Sequence, residues 1–342
     1  MKYRLHTLTI GALLAIAPGP SNADTPEEPA DPIALAQLDG FALGLARAEK
    51  FSGVLLVATS GEVVLERAYG KRDAHSEDEN TVDTRFNLAS AGKMFTAVAI
   101  LQQVAAGRLT LDTPVGEVLT DYRNRAFATQ VTVRHLLTHA AGAGDIDLFG
   151  VENAANRADV HSVAEMMALH AGRAPAFAPG SNQEYGNFGH VVLGRIVEVL
   201  SGESFEAYLQ AHVFEPAGMT DTATVDCADT APDLAVGYVV VDGQPVSNCE
   251  TLPRRGFPAG GQVSTARDMF RFVEALRAGK LLPLSVFEEA ARPRWTTRSA
   301  SRPFSDRCER RCRCRRRNRH APSGNFAPDS RGRTRSRRTP AP

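Results

Sequence analysis

The sequence changes character at Arg298, and this break limits which part of the chain can build a folded core. Residues 298–342 contain 15 arginines, three acidic residues and no Leu, Ile, Val, Met, Trp or Tyr. A segment of this composition cannot bury enough apolar surface to offset the entropy that is lost on folding. We therefore expect residues 298–342 to form a disordered, arginine-rich tail.

The formal net charge of zero conceals the same division. The chain has 39 basic and 39 acidic residues, but the tail alone carries +12, which leaves −12 for residues 1–297. A basic tail can bind nucleic acid or an anionic membrane through its charge. This tail has no interleaved aromatic residues and no folded module, so we expect no nucleic-acid partner. We interpret it as the product of a reading-frame shift, with an electrostatic binding segment as the alternative.

The first 23 residues are typical of a secretory signal peptide. Lys2 and Arg4 precede an uncharged, largely apolar stretch over residues 8–17, and a small-x-small pattern ends at Ala23. A proline- and acid-rich linker follows over residues 24–32. We expect cleavage near Ala23 and a periplasmic or secreted protein.

The composition also bears on membrane anchoring and on the cysteines. No run of about 18 apolar residues occurs, so we expect no transmembrane anchor. Export would place Cys227 and Cys249 in an oxidising compartment, where they can form a disulfide or stay unpaired. The oligomeric state is not indicated by any sequence feature.

Apolar periodicity between residues 33 and 297 indicates an α+β domain. Two β-rich runs joined at the turn dipeptide Ser60-Gly61 predict a hairpin over residues 53–69. Helical spacing and cap signals predict further elements. The predicted helices cover residues 33–50, 90–106, 133–139 and 191–200, with another that follows Ser264-Thr265 and runs to Ala278. An α+β domain that opens with two strands needs further strands to complete its sheet.

The start of the second predicted helix carries a candidate nucleophile and its base. Ser90 and Lys93 are three residues apart and therefore share a helix face. Burial among Phe86, Leu88 and Phe95 would lower the pKa of the lysine and leave a neutral amine that can take the serine proton. The alternative is a solvated serine at the helix start and a surface lysine, since this spacing also arises by chance.

A second group of polar residues precedes the helix predicted over residues 191–200. The Tyr185 hydroxyl beside a neutral lysine can transfer protons, and the Asn187 amide can hydrogen-bond a substrate carbonyl. Together with Ser90 and Lys93, these residues provide a candidate nucleophile, a base, a proton-transfer group and a contact for a substrate carbonyl.

The segment Phe86–Phe95 resembles the nucleophile segment of the penicillin-recognising serine hydrolases, which include class C β-lactamases, D-alanyl-D-alanine carboxypeptidases and related esterases. Five further segments are similar to that family in the same order along the chain. They cover residues 107–115, 131–139, 185–194, 216–222 and 260–266. The resemblance extends over about residues 35–297 and implies a β-lactamase/transpeptidase-like fold, in which an antiparallel sheet packs with flanking helices and a helical region.

The resemblance also implies roles for individual residues. Ser90 would be the acylated nucleophile, Lys93 its activating partner, Tyr185 the acid/base that protonates the leaving group, and Asn187 a substrate contact. The reaction would be acyl transfer to water, on an ester, a β-lactam or a D-alanyl peptide. No metal or organic cofactor is implied, and the expected partner is a small-molecule or peptide acyl substrate.

One motif of the family has no counterpart in this sequence. A Lys/His-x-Gly segment is expected several dozen residues after Gly261, but Lys280 precedes two leucines and His320 precedes Ala321-Pro322. We therefore expect an incomplete sheet, low stability and weak activity at best. The alternative to an active hydrolase is a catalytically impaired remnant, or a penicillin-binding-like protein that is acylated without turnover.

Overall fold

The computed structural model describes residues 30–146, 160–226, 228–229, 231–241, 243–251 and 255–292. All of these except Arg292 belong to one compact unit. Its α-helices are α1 (Pro32–Arg47), α2 (Lys93–Ala105), α3 (Val115–Val118), α4 (Arg125–Gln130), α5 (Val133–Leu137), α6 (Val163–His170), α7 (Phe188–Ser201), α8 (Phe205–Leu209), α9 (Glu215–Ala217), α10 (Ala266–Arg277) and α11 (Leu284–Ala291). Its strands are β1 (Gly53–Thr59), β2 (Glu62–Tyr69), β3 (Phe86–Asn87), β4 (Tyr238–Val241), β5 (Gln244–Ser247) and β6 (Val263–Ser264).

The predicted α+β class is confirmed, and the strands of the described residues form three two-stranded antiparallel sheets. The hairpin of β1 and β2 has the predicted bounds. Ser60 and Gly61 both have positive φ, at 54° and 81°. Two successive residues of this kind form the tight turn that matches the twist of the flanking strands.

The short pairing of β3 with β6 matters most for the site. Phe86 pairs with Ser264 and Asn87 with Val263. Because β3 leads directly into the segment that contains Ser90, this pairing holds a distant part of the chain, residues 257–264, beside the candidate nucleophile.

The core lies mainly among the helices, and α2 is at its centre. The Phe95 side chain is fully buried. Its ring packs edge-on against Phe214 and Phe272, with centroids 5.1 Å and 5.0 Å away. Such aromatic contacts add to the free energy gained from burial, and they fix the helix that carries Lys93.

Helix boundaries depart from the predicted ones where the backbone changes conformation. The helix predicted over residues 90–106 begins as a 3₁₀ turn over Ala89–Gly92 and becomes α-helical at Lys93. Helix α5 ends at Leu137 rather than at residue 139, because His139 has a left-handed φ of 56°. Helix α10 begins after Thr265, whose side chain accepts a hydrogen bond from Asp268 N–H.

Several predictions concern residues outside the described ranges. These are the signal peptide over residues 1–23, most of the linker, Cys227 and the tail over residues 298–342. Cys249 is disulfide-bonded, and its pairing with Cys227 stays a prediction. Within the described ranges, no helix is both long enough and apolar enough to cross a bilayer.

Candidate active site

Lys93 lies at the junction between the 3₁₀ turn and α2, with its amine directed at Ser90. Its Nζ atom donates hydrogen bonds to Ser90 Oγ at 3.0 Å, to Asn187 Oδ1 at 2.7 Å and to the Ala259 carbonyl at 2.7 Å. The lysine is only 8% exposed. The predicted pairing of a serine with a buried lysine is therefore present in the structure.

Burial is the main cause of a lowered pKa for Lys93, and interactions with Tyr185 and Asp145 oppose it in part. Removing an ammonium group from water disfavours its charged form. A larger fraction of neutral amine is available at a given pH than for an exposed lysine, so Lys93 can accept a proton from Ser90.

Tyr185 also contacts Ser90 and lies beside Lys93. Its hydroxyl donates a hydrogen bond to Ser90 Oγ at 2.8 Å, and the Lys93 Nζ atom lies 5.0 Å from its ring centroid. Tyr185 is 56% exposed and Ser90 is also exposed, so a molecule can approach the two residues from solvent. The structure thus brings together Ser90, Lys93 and Tyr185, which are far apart in the sequence.

Asn187 immediately precedes helix α7 and is almost entirely buried. Its amide oxygen accepts from Lys93, and its Nδ2 donates to Asp145 Oδ1 at 2.9 Å. Both ends of the amide therefore have partners within the protein. A side chain that binds substrate directly would instead be exposed, with a hydrogen-bonding group available to the substrate.

Two residues near the site were not among the sequence predictions. Asp145 contacts Asn187, and His139 lies against the Tyr185 ring with centroids 4.6 Å apart. Nothing in the sequence places the carboxylate of Asp145 next to Asn187. The left-handed φ of His139, which is uncommon for a residue with a side chain, is visible only in the structure.

The segment over residues 257–264 lies against the turn that contains Ser90. Gly261 N–H donates to the Ala89 carbonyl at 3.0 Å. Gly260 has a φ of +127°, and a Cβ atom added there would lie 1.9 Å from the Ala89 oxygen. Glycine is required at this position because the two backbones approach so closely. The contact fixes the turn that presents Ser90.

Potential metal ligands do not form a cluster of three in the part of the chain that the structure describes. The polar groups around Ser90 are instead one amine, one phenol and one amide. These groups suit proton transfer and hydrogen bonding to an acyl substrate.

A family model described as Beta-lactamase matches residues 41–309. Esterase EstB from Burkholderia gladioli is 31% identical over an alignment of 294 positions that covers 75% of this chain and 74% of the esterase. Penicillin-binding protein 4 from Amycolatopsis lactamdurans is 33% identical over an alignment of 198 positions that covers 56% of this chain and 50% of that protein.

Solved structures agree with this result. The crystal structure of a penicillin-binding protein from Bacillus halodurans superposes with a TM-score of 0.66 at 31% identity, covering 74% of this chain and 78% of that one. Across four curated relatives, the chain spans between 50% and 74% of their length. The match over residues 41–309, together with the esterase and penicillin-binding relatives, shows that this chain belongs to the beta-lactamase family of serine hydrolases.

Proposed function

We propose that this protein transfers acyl groups to water through a covalent intermediate on Ser90. The observation that carries the proposal is the position of Ser90 Oγ between two proton-transferring groups, the Lys93 amine at 3.0 Å and the Tyr185 hydroxyl at 2.8 Å. A nucleophile within hydrogen-bond reach of its base is the arrangement that nucleophilic catalysis requires.

The first step is attack on the acyl carbon. Neutral Lys93 accepts the Ser90 hydroxyl proton, and Oγ forms a bond to the carbonyl carbon of the substrate. The Tyr185 hydroxyl then gives its proton to the departing oxygen or nitrogen and is reprotonated from the Lys93 ammonium. The bond to the leaving group breaks, and an ester of Ser90 remains. Both catalytic residues have then returned to their initial protonation states.

Hydrolysis of the ester completes the cycle. Water loses a proton to the same pair of residues, its oxygen attacks the ester carbon, and the proton returns to Ser90 Oγ as the acid product leaves. The exposure of Tyr185 and Ser90 supports this step, because water can reach the ester from solvent.

The substrate class is an ester, a β-lactam or a D-alanyl peptide. An esterase and penicillin-binding proteins among the relatives support this range. Our further proposal is that the protein is exported, because Lys2, Arg4 and the apolar stretch over residues 8–17 are typical of a signal peptide. An intact mass for the mature protein that begins at Asp24 would support export, and an uncleaved chain outside the cytoplasm would count against the cleavage site.

A second candidate is a protein that is acylated but turns over slowly. It is favoured by the sequence after Ser264, where neither Lys280 nor His320 is followed by the expected x-Gly. In this case the acyl-enzyme forms and accumulates, as in a penicillin-binding protein.

Pre-steady-state kinetics with a p-nitrophenyl ester and a chromogenic cephalosporin test both candidates. A burst of product that requires Ser90, followed by continuing turnover, supports the hydrolase. A burst of one equivalent with no steady phase supports the second candidate. Equal product release by the wild type and by Ser90→Ala would reject both.

A further inference from the structure

A short polar chain leads from Asp145 through Asn187 to the amine of Lys93. The Oδ1 atom of Asp145 accepts hydrogen bonds from Asn187 N–H at 3.0 Å and from Asn187 Nδ2 at 2.9 Å. The Oδ1 atom of Asn187 in turn accepts from Lys93 Nζ at 2.7 Å. We infer that Asp145 is a positioning residue for the Ser90 reaction, which acts by fixing the orientation of the Asn187 amide. The inference rests on the proposed function of Ser90 and Lys93.

The orientation of the Asn187 amide determines what faces Lys93. An amide has an acceptor oxygen on one side and a donor NH₂ on the other, whereas an ionised carboxylate can only accept. Asp145 therefore binds the NH₂ side and leaves the oxygen for Lys93. Without Asp145, a rotation of the amide by half a turn would direct Nδ2 at the lysine amine, and the hydrogen bond that holds Nζ beside Ser90 would be lost.

Asp145 is itself held by the surrounding loop. Its Oδ1 also accepts from Ile146 N–H at 2.8 Å, and its carbonyl accepts from Arg173 Nη1 at 2.8 Å. The preceding Gly144 packs tightly against Gly186, where an added Cβ would lie 2.5 Å from the Gly144 oxygen. These contacts fix the backbone before and after Asp145, and the bond from Ile146 N–H orients its carboxylate.

The charge of Asp145 gives a second measurable effect. The titratable groups that act on Lys93, or on which Lys93 acts, are Asp145, Tyr185, His139 and His190. Among these, Asp145 supplies a negative charge that favours the ammonium form and raises the pKa of Lys93. Replacing this carboxylate by a neutral amide of the same shape removes that stabilisation. The pH at which the amine becomes neutral then moves down.

The test measures the second-order rate of Ser90 acylation from pH 5 to 10 with a fluorescent penicillin and a fluorophosphonate. The variants are Asp145→Ala, Asp145→Asn, Asn187→Ala and the double variant Asp145→Ala/Asn187→Ala. The exposed Asp121 provides a matched control as Asp121→Asn.

We expect Asp145→Ala to lower the high-pH rate by roughly 10- to 100-fold, the range for a lost hydrogen bond to a charged group. In the Asn187→Ala background the same change should have little further effect, because Asp145 acts through Asn187.

Asp145→Asn should keep the folded structure and shift the rising part of the pH profile to lower pH. This variant decides the inference if Asp145→Ala does not fold. The inference is overturned if Asp145→Ala acylates at the wild-type rate, if its loss is equally large in the Asn187→Ala background, or if Asp145→Asn leaves the profile unmoved. A wild-type protein that forms no Ser90 adduct would overturn the proposed function, and this inference with it.

Discussion

The Nζ atom of Lys93 lies 3.0 Å from the Oγ atom of Ser90, across the junction between a 3₁₀ turn and helix α2. The spacing of three residues places both side chains on one face. The buried surroundings of Lys93 then lower its pKa. A serine and a lysine that would be unremarkable on a surface helix thereby become a candidate nucleophile and base.

Replacing Lys93 by methionine removes the base and keeps an unbranched side chain of similar length. We expect the acylation rate to fall by about 10²- to 10⁴-fold, the usual contribution of a positioned base. The measurement is the rate of covalent labelling by a fluorophosphonate. Lys50→Met is the control, since Lys50 is exposed and lies in the loop after α1. Equal losses in the two variants would contradict the role of Lys93.

The same assay gives the direction of the pH dependence. Burial lowers the pKa of Lys93 below the ordinary value of 10.5, and the base is the neutral amine. The wild-type rate should therefore rise with pH, and the midpoint of the rise should lie below pH 10.5. A rate that falls over this range would exclude Lys93 as the base.

Replacing Tyr185 by phenylalanine removes one hydroxyl and keeps the ring that packs on His139. The 2.8 Å hydrogen bond to Ser90 is lost. We expect turnover to fall by about 10²- to 10⁴-fold, with little change in the melting temperature because Tyr185 is an exposed residue. Tyr238→Phe is the matched control, because the Tyr238 hydroxyl bonds to Asp73 away from the site. Full activity in Tyr185→Phe would assign leaving-group protonation to another group.

Two glycine substitutions should have opposite effects on stability. A Cβ atom at Gly260 would meet the Ala89 oxygen at 1.9 Å, and its φ of +127° disfavours any side chain. Gly260→Ala should therefore destabilise the protein by more than about 2 kcal/mol. Gly44 lies in helix α1 with no atom within 4 Å of an added Cβ, so Gly44→Ala should stabilise by about 0.5–1 kcal/mol. Chemical denaturation measures both, and an unchanged midpoint for Gly260→Ala would contradict the close approach.

The buried His190 predicts a dependence of stability on pH. Burial, assisted by His139 and Lys93, lowers its pKa to about 3. Unfolding exposes the ring, whose pKa returns to about 6.5. Between these values the unfolded chain binds a proton that the folded chain does not, so this contribution to stability is full above pH 6.5 and falls as the pH drops, by up to about 1.4 kcal/mol per pH unit.

His190→Phe removes that contribution. The free energy of unfolding of this variant, relative to wild type, should rise as the pH is lowered from 7 to 5. The exposed His161 supplies the control as His161→Gln, which replaces a histidine that is not buried. A constant difference between His190→Phe and wild type would show that His190 titrates normally in the folded protein.

The parts of the fold that local signals determine were predictable. Ser60-Gly61 specified the hairpin turn, and Thr265 specified the start of α10, because each acts on residues within a few positions of itself. The approach of Gly260 to Ala89 and the contact of Asp145 with Asn187 were not predictable. They join residues far apart in the chain, and their geometry depends on how the helices pack.

The candidate site also has one part that the sequence predicts and one part that it does not. The spacing of Ser90 and Lys93 is a local property, and their pairing was expected from it. The role of Asn187 was only partly predicted from the sequence. The sequence suggested a substrate contact, whereas its burial and its bonds to Lys93 and Asp145 point first to a role in holding the amine.

The proposed reaction depends on Ser90 as the nucleophile. Peptide mapping by mass spectrometry after incubation with a fluorophosphonate or benzylpenicillin tests this role, with Ser90→Ala treated in parallel. We expect a single covalent adduct on the peptide that contains Ser90, none in Ser90→Ala, and much slower formation in Lys93→Met. An adduct on another residue, or equal labelling of wild type and Ser90→Ala, would contradict this role.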